Sequence, residues 1–174
     1  MHLRTRHSLV SMAILSLALC TGLVVAGCER DNPAQTQPAG QHWLPMVKMK
    51  IGDRTFDLEM ARTSEEQATG LMKRDSMPEN HGMIFVFQEE RMLEFWMKDT
   101  RIPLDIMYLD AKGKVVSVAQ MQPYDLSAVS SNVDAEYAIE LNAGMVKKIG
   151  IKAGDVLDIP AAARSSGKPA ATQP

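Results

Sequence analysis

The chain has 174 residues, 45% of them apolar and 23% charged, with a formal net charge of −2. That length suits one domain large enough to build a real hydrophobic core, and the slight excess of acid excludes a basic nucleic-acid footprint. Only two cysteines, Cys20 and Cys28, are present.

At the N-terminus, Arg4 and Arg6 precede an uncharged run from Ser8 through Leu23, which ends in Val24-Val25-Ala26-Gly27-Cys28. A positive start, an apolar middle and a small-residue exit are the three parts of an export signal. Ala26 and Gly27 are small enough for a signal-peptidase cleft, and Cys28 supplies a thiol to be acylated. The segment therefore resembles a bacterial lipoprotein signal peptide with its lipobox. An uncleaved span is the alternative, since the run approaches the length needed to cross a bilayer, but Ser11, Ser16, Cys20 and Thr21 dilute it.

Cleavage before Cys28 removes 27 of 174 residues and leaves 147, and the loss of Arg4 and Arg6 moves the formal charge from −2 to −4. One acyl chain binds a membrane marginally, whereas two or more anchor stably. A lipidated Cys28 is thus expected to hold an exported, periplasm-facing protein on a membrane. Glu29, rather than Asp, follows it and matches outer-membrane sorting in a Gram-negative envelope. With Cys20 discarded and Cys28 acylated, no disulfide supports the fold.

From Arg30 to Gln41 the chain is rich in Pro, Gln, Ala and Asp, the composition of a disordered tether. Residues 28–42 are assigned to that tether, 43–160 to a single folded domain and 161–174 to a disordered tail. Within the domain, Phe56, Leu58 and Met60 alternate with Thr55, Asp57 and Glu59, and Gly52-Asp53 divides two extended runs between Met46 and Met60. This predicts a hairpin. Thr63 followed by Glu66 is a capping-box pattern, which predicts a short helix from Ser64 to Met72 with Gly70 near its end.

After a loop at residues 75–82, the runs Met83–Phe87 and Met92–Met97 read as strands joined by a solvated turn at Gln88-Glu89-Glu90. Pro103 opens the next strand. Leu104–Leu109, the turn Asp110-Ala111-Lys112-Gly113 and Lys114–Met121 predict a second hairpin. Tyr137–Leu141 is a further short strand, Asn142 is placed to cap a helical turn ended by Gly150, and Gly154-Asp155 turns into a last strand at Val156–Ile159. The expected fold is compact and mostly β (α+β), a barrel-like antiparallel sheet with one or two short helices.

Chemically distinctive residues concentrate in Phe95-Trp96-Met97-Lys98-Asp99-Thr100-Arg101-Ile102-Pro103-Leu104-Asp105-Ile106. Together with Thr69-Gly70-Leu71-Met72, the Met83–Phe87 run, Tyr137-Ala138-Ile139-Glu140 and Gly154-Asp155, this segment resembles the exported family called domain of unknown function 192. The resemblance covers nearly the whole folded unit and implies no established activity. Three positions depart from the pattern it implies: Thr69 stands in place of Arg, Asp99 in place of Asn, and Pro123-Tyr124-Asp125-Leu126-Ser127 lacks the cysteine that often follows that proline. Thiol chemistry at that loop is therefore absent from this chain.

Asp105 shares a strand face with Met107 and Leu109, so its carboxylate is expected to be at least half buried and to need a partner. Lys98, Arg101, the Trp96 indole N–H and loop amides are the candidates. Either this is the polar spot of an apolar small-molecule pocket, or it is a structural pair that fixes how two strands meet. Glu140 is placed to approach Asp105 or to cap the following turn. The candidate ligand-binding set is accordingly Trp96, Lys98, Asp105 and Glu140, with Cys28 as the lipid attachment.

No nucleophile elbow, metalloprotease His pair or phosphate-cradling glycine loop occurs, so no catalytic residue, cofactor or metal is assigned. The expected role is non-catalytic binding of a small ligand or an envelope protein, with the membrane as a partner through Cys28 and no nucleic acid. Two other classes remain open. One is a small envelope hydrolase using Asp105 with Glu140 as acid and base. The other is Cu(I) binding by methionine thioethers, of which 11 of 13 survive the loss of Met1 and Met12. Against copper, Met83, Met97, Met107 and Met121 fall in strand patterns and read as flexible core filler. His42 and His81 are isolated, and His81, beside Gly82, is expected in an exposed loop.

Overall fold

A computed structural model of the chain describes residues 43–164. The expected signal segment, the expected tether with Cys28 and His42, and residues 165–174 of the expected tail lie outside the described residues. Gly52 and Asp53 form the two-residue turn between β1 (Met46–Ile51) and β2 (Arg54–Ala61), which pair antiparallel with Ile51 opposite Arg54. The helix α1 (Ser64–Thr69) starts from the expected capping box. The Glu66 amide donates to Thr63 Oγ1 at 3.2 Å, and the Thr63 amide donates to Glu66 Oε2 at 2.8 Å. It ends three residues earlier than expected, because Gly70 takes φ 46° and breaks the helix there.

β3 (His81–Phe95) and β6 (Val129–Asn142) are the long central strands, and β4 (Leu104–Leu109) and β5 (Val115–Met121) complete the sheet. The sheet order is β1-β2-β3-β6-β4-β5. It is mostly β with two short helices, as expected, but two features of the expected architecture are corrected. The sheet is open rather than closed into a barrel, since β1 and β5 are edges that do not pair. It is also mixed: β2 and β3 run parallel, because the chain between them crosses over through α1 instead of reversing in a hairpin.

The expected turn at Gln88–Glu90 is likewise not a chain reversal. β3 continues through these exposed residues as a bulged stretch, with register shifts against β6 between Val86 and Arg91 and between Met92 and Glu94. The predicted short strand at Tyr137–Leu141 is the inner half of β6, whose outer half pairs with Arg91–Phe95 beyond the bulge. No final strand forms at Val156–Ile159. A single bridge links Lys114 to Val156, and Leu157 and Ile159 are buried as an irregular segment. Order continues past Pro160, where Ala161–Ala163 form a 3-10 turn with Ala163 buried.

Each face of the sheet carries its own apolar cluster. One contains Phe56, Leu58, Ile84, Met107, Ile139 and Leu141, and is covered by α2 (Met145–Ile149) and the Leu157–Ala163 segment. The other contains Met83, Phe85, Ile106 and Tyr108, and is covered by Leu71, Leu93, Met97 and Ile102. Met83, Met97 and Met121 belong to the second cluster and Met107 to the first, each packed as core. At the centre, Gly82 leaves no room for a side chain. A Cβ there would overlap the Glu140 carbonyl oxygen and sit 2.6 Å from Leu141 Cδ2. Close contact between β3 and β6 at this point fixes the register that sets Glu140 opposite Met83.

Candidate functional site

Strand register decides which of the sequence-predicted residues can meet. Asp105 lies opposite Leu141, and Glu140 lies opposite Ile106. Side chains directly opposite across a ladder share a face, and successive residues alternate. Asp105 therefore belongs to the face under α2 and Glu140 to the face under Leu71 and Met97. The two carboxylates lie on opposite sides of the sheet, so no substrate can sit between them, and the acid–base pair contemplated for a hydrolase has no place in this fold.

Asp105 is 4% exposed, buried as its strand pattern predicts. Its partners differ from the expected ones. Gln120 Nε2 on the neighbouring strand donates to Oδ1 at 3.1 Å, and the Val146 amide donates to Oδ2 at 2.9 Å. The helix α2 has Gly144 rather than Asn142 before it, with no side-chain cap of its own. Asp105, on the sheet face beneath the helix, supplies that cap from β4, satisfying one of the free first-turn amides. Asn142 instead donates to the Met77 and Pro78 carbonyls at 3.2 and 3.0 Å and pins the loop before β3. Asp105 thus joins a strand to a helix.

On the opposite face the Glu140 side chain lines a cavity of about 310 Å³. Its apolar wall is Leu71, Phe85 and Phe95, where the Phe85 and Phe95 rings meet edge to face at 4.8 Å. Gln67, Thr69, Thr100, Arg91 and Glu94 supply polar groups, and Trp96 lines the mouth with half its surface exposed. Lys98 is not in the cavity: its Nζ stacks over the outer Trp96 ring, 5.5 Å from the centroid. Arg101 pairs with Asp75 at 2.6 Å. Of the four predicted residues, Trp96 and Glu140 meet at one site, Lys98 touches it from outside through Trp96, and Asp105 is elsewhere.

Glu140 is 4% exposed, and among the described residues no donor reaches its carboxyl. Burial pushes its pKa up to about 8, opposed only by the charge of Arg74. The group is therefore mostly protonated at neutral pH. Tyr108, on the same face, is also pushed upward, by burial and then by the nearby Glu140 and Glu94, while its hydroxyl donates to the Val129 carbonyl at 2.6 Å.

Sequence reasoning missed the ion pair beside this site. Glu59 alternates with apolar neighbours and reads as the polar side of β2, yet it is 2% exposed. Arg74 closes over it, with Nη2 donating to Oε2 at 2.9 Å and Nη1 donating to Oε1, and the Leu44 amide adds a bond at 2.9 Å. Register sets Glu59 beside Met83, and Met83 beside Glu140, so the two buried acids flank one methionine. His81 was also misplaced. It is buried at the start of β3, packed edge-on against Trp43 at 4.6 Å, and burial lowers its pKa. Among the described residues, no cluster of three or more His, Cys, Asp or Glu side chains is arranged to hold a metal ion.

A family model named DUF192 and described as Uncharacterized ACR matches residues 47–159. Two solved structures are similar. One is a candidate transcription regulator from Sinorhizobium meliloti 1021, 33% identical, with a TM-score of 0.61 over 68% of this chain and 97% of that one. The other is a protein of unknown function from Novosphingobium aromaticivorans DSM 12444, 33% identical, with a TM-score of 0.62 over 71% of this chain and 90% of that one. No protein with a curated description matches. Two of the positions that depart from the family pattern fall at informative places: Thr69 lines the cavity, and Asp99 takes φ 53°, a left-handed conformation that Asp and Asn tolerate.

Proposed function

The chain belongs to the DUF192 family, and on that premise we propose that it is an exported, lipid-anchored domain that binds a small molecule in the cavity above Glu140. The observation that carries the binding reading is a buried carboxyl without a donor at the floor of an aromatic-walled cavity. Ligand sites have this make-up, mostly apolar walls with a few convergent polar groups, and about 310 Å³ lies at the lower end of the usual range of roughly 300–1,000 Å³. The acid–base pair of Asp105 with Glu140 is not available, because Asp105 lies on the opposite face of the sheet. The transcriptional role named for the Sinorhizobium protein is not carried over, since an acidic exported chain lacks the charge that phosphate binding demands.

Binding is tested by adding a mixture of small apolar and polar fragments to isotopically labelled protein and following its NMR signals. The expected result is movement at the Trp96 indole, Phe95 and Thr69 with the Val146 and Gln120 signals around Asp105 unchanged. Movement confined to the Asp105 side would transfer the site there and end this reading.

Anchoring at Cys28 is supported by the charged start, the apolar run and the small residues before the cysteine. The protein should incorporate labelled palmitate when expressed in a bacterial host, and Cys28→Ser should abolish it. Labelling that persists in Cys28→Ser would remove the lipoprotein reading.

A further inference from the structure

Resting on the ligand-binding reading above, we infer that the cavity takes a compact apolar molecule carrying one primary ammonium group, which docks on the Glu140 carboxylate. The four buried acids of the described residues differ in one respect. Glu59 is held by Arg74 and the Leu44 amide, Asp105 by Gln120 and the Val146 amide, and Glu136 by the Tyr137 hydroxyl at 2.8 Å. Glu140 has no such donor and faces the cavity instead.

Among the described residues, the positive groups near Glu140 are already engaged. Arg74, the one cation whose charge acts on Glu140, is committed through both terminal nitrogens to Glu59. Arg91 lies over the Phe87 ring at 5.0 Å and Lys98 over Trp96 at 5.5 Å, so two rim aromatics each hold a cation while the floor carboxyl holds none. An ammonium brings three donors and a full charge to that carboxylate, and charge-assisted bonds are roughly twice as strong as neutral ones. Leu71, Phe85 and Phe95 would cover its apolar body. A second positive charge on the ligand gains no net attraction at a wall that carries both Arg91 and Glu94, so a single one suffices.

In the free protein a proton occupies the place of the missing cation, so docking of the ammonium must release it. The charged and titratable groups around Glu140 are Arg91 and Glu94 of β3, Tyr108 of β4, Glu59 of β2 and Arg74 in the crossover loop. Tyr108 is pushed upward and stays protonated throughout the working range. The sign then follows from linkage: affinity for the amine rises by about tenfold per pH unit below the carboxyl's own pKa and levels above it.

The test is calorimetric titration of the purified protein with phenethylamine, and with phenethyl alcohol as its neutral counterpart, at pH 6, 7 and 8, extended to a short series of alkylamines and their alcohols. The expected result is tighter binding of the amines, with affinity rising across the series of pH values and close to one proton released at the lowest. Glu140→Gln should remove both the preference and the pH slope. Alcohols binding as tightly as the amines, or amine affinity falling with pH, would overturn the ammonium assignment and leave the cavity as a site for neutral ligands. If neither class binds, the assignment falls together with the ligand-binding reading on which it rests.

Discussion

Arg74→Leu should destabilise the domain by about 3–5 kcal/mol, the cost of stranding one partner of a buried ion pair. Glu59 is 2% exposed and sits where water cannot replace the lost guanidinium. Both of its oxygens are used by Arg74, and the Leu44 amide alone would remain. The same substitution removes the one charge that restrains Glu140, so the second buried acid is driven further toward its protonated form. A double variant, Arg74→Met with Glu59→Leu, should recover most of the loss, because a buried pair replaced by apolar groups of similar volume is often neutral or stabilising. Urea denaturation near neutral pH measures both. A loss below about 1 kcal/mol in the single variant would mean that the pair behaves as an exposed one.

Glu140→Gln should raise stability at neutral and alkaline pH and flatten its pH dependence. The folded-state pKa of Glu140 is pushed up to about 8 from an ordinary 4.5. Between these values the folded chain holds a proton that the unfolded chain has released, so stability falls as pH rises through the window. The fall is at most about 1.4 kcal/mol per pH unit and amounts to a few kcal/mol across the window. Below the ordinary carboxylate range both states are protonated and the two proteins should be equally pH-insensitive at this position. Denaturation curves collected from pH 5 to pH 9 on both proteins test this, and parallel profiles would contradict it.

Much of the local structure was legible because it depends on neighbours in sequence. The β1–β2 turn at Gly52-Asp53, the Thr63–Glu66 capping box and the β4–β5 hairpin are each set by contacts within a few residues. Pairings between distant segments were not. Gln88–Glu90 has the polarity of a turn, but the 14-residue β6, whose outer half lacks an apolar pattern, pairs with β3 on both sides of it, at Val86 and from Arg91 onward. The parallel β2–β3 pair likewise follows from the crossover, and the open edges from β1 and β5 not pairing, neither of which local propensity encodes.

At the site, burial of Asp105 was predictable from its apolar strand, but its partners come from residues 15 and 41 positions away. Glu140 follows from the same strand alternation once its register with Ile106 is known, and that register also separates it from Asp105. Arg74 carried no signal at all. It lies in a loop, and its role depends on folding over a glutamate that reads as solvent-facing.

On the reading proposed above, the cavity carries a neutral, uncompensated carboxyl at its floor, ready to accept a cation. Carbon-13 NMR of the Glu140 side-chain carboxyl, titrated with and without saturating phenethylamine, measures this directly. The predicted midpoint is about 8 in the free protein, moving downward when the amine is bound. A midpoint in the ordinary glutamate range near 4.3 in the free protein would contradict it, since the carboxyl would then already have water or a partner of its own.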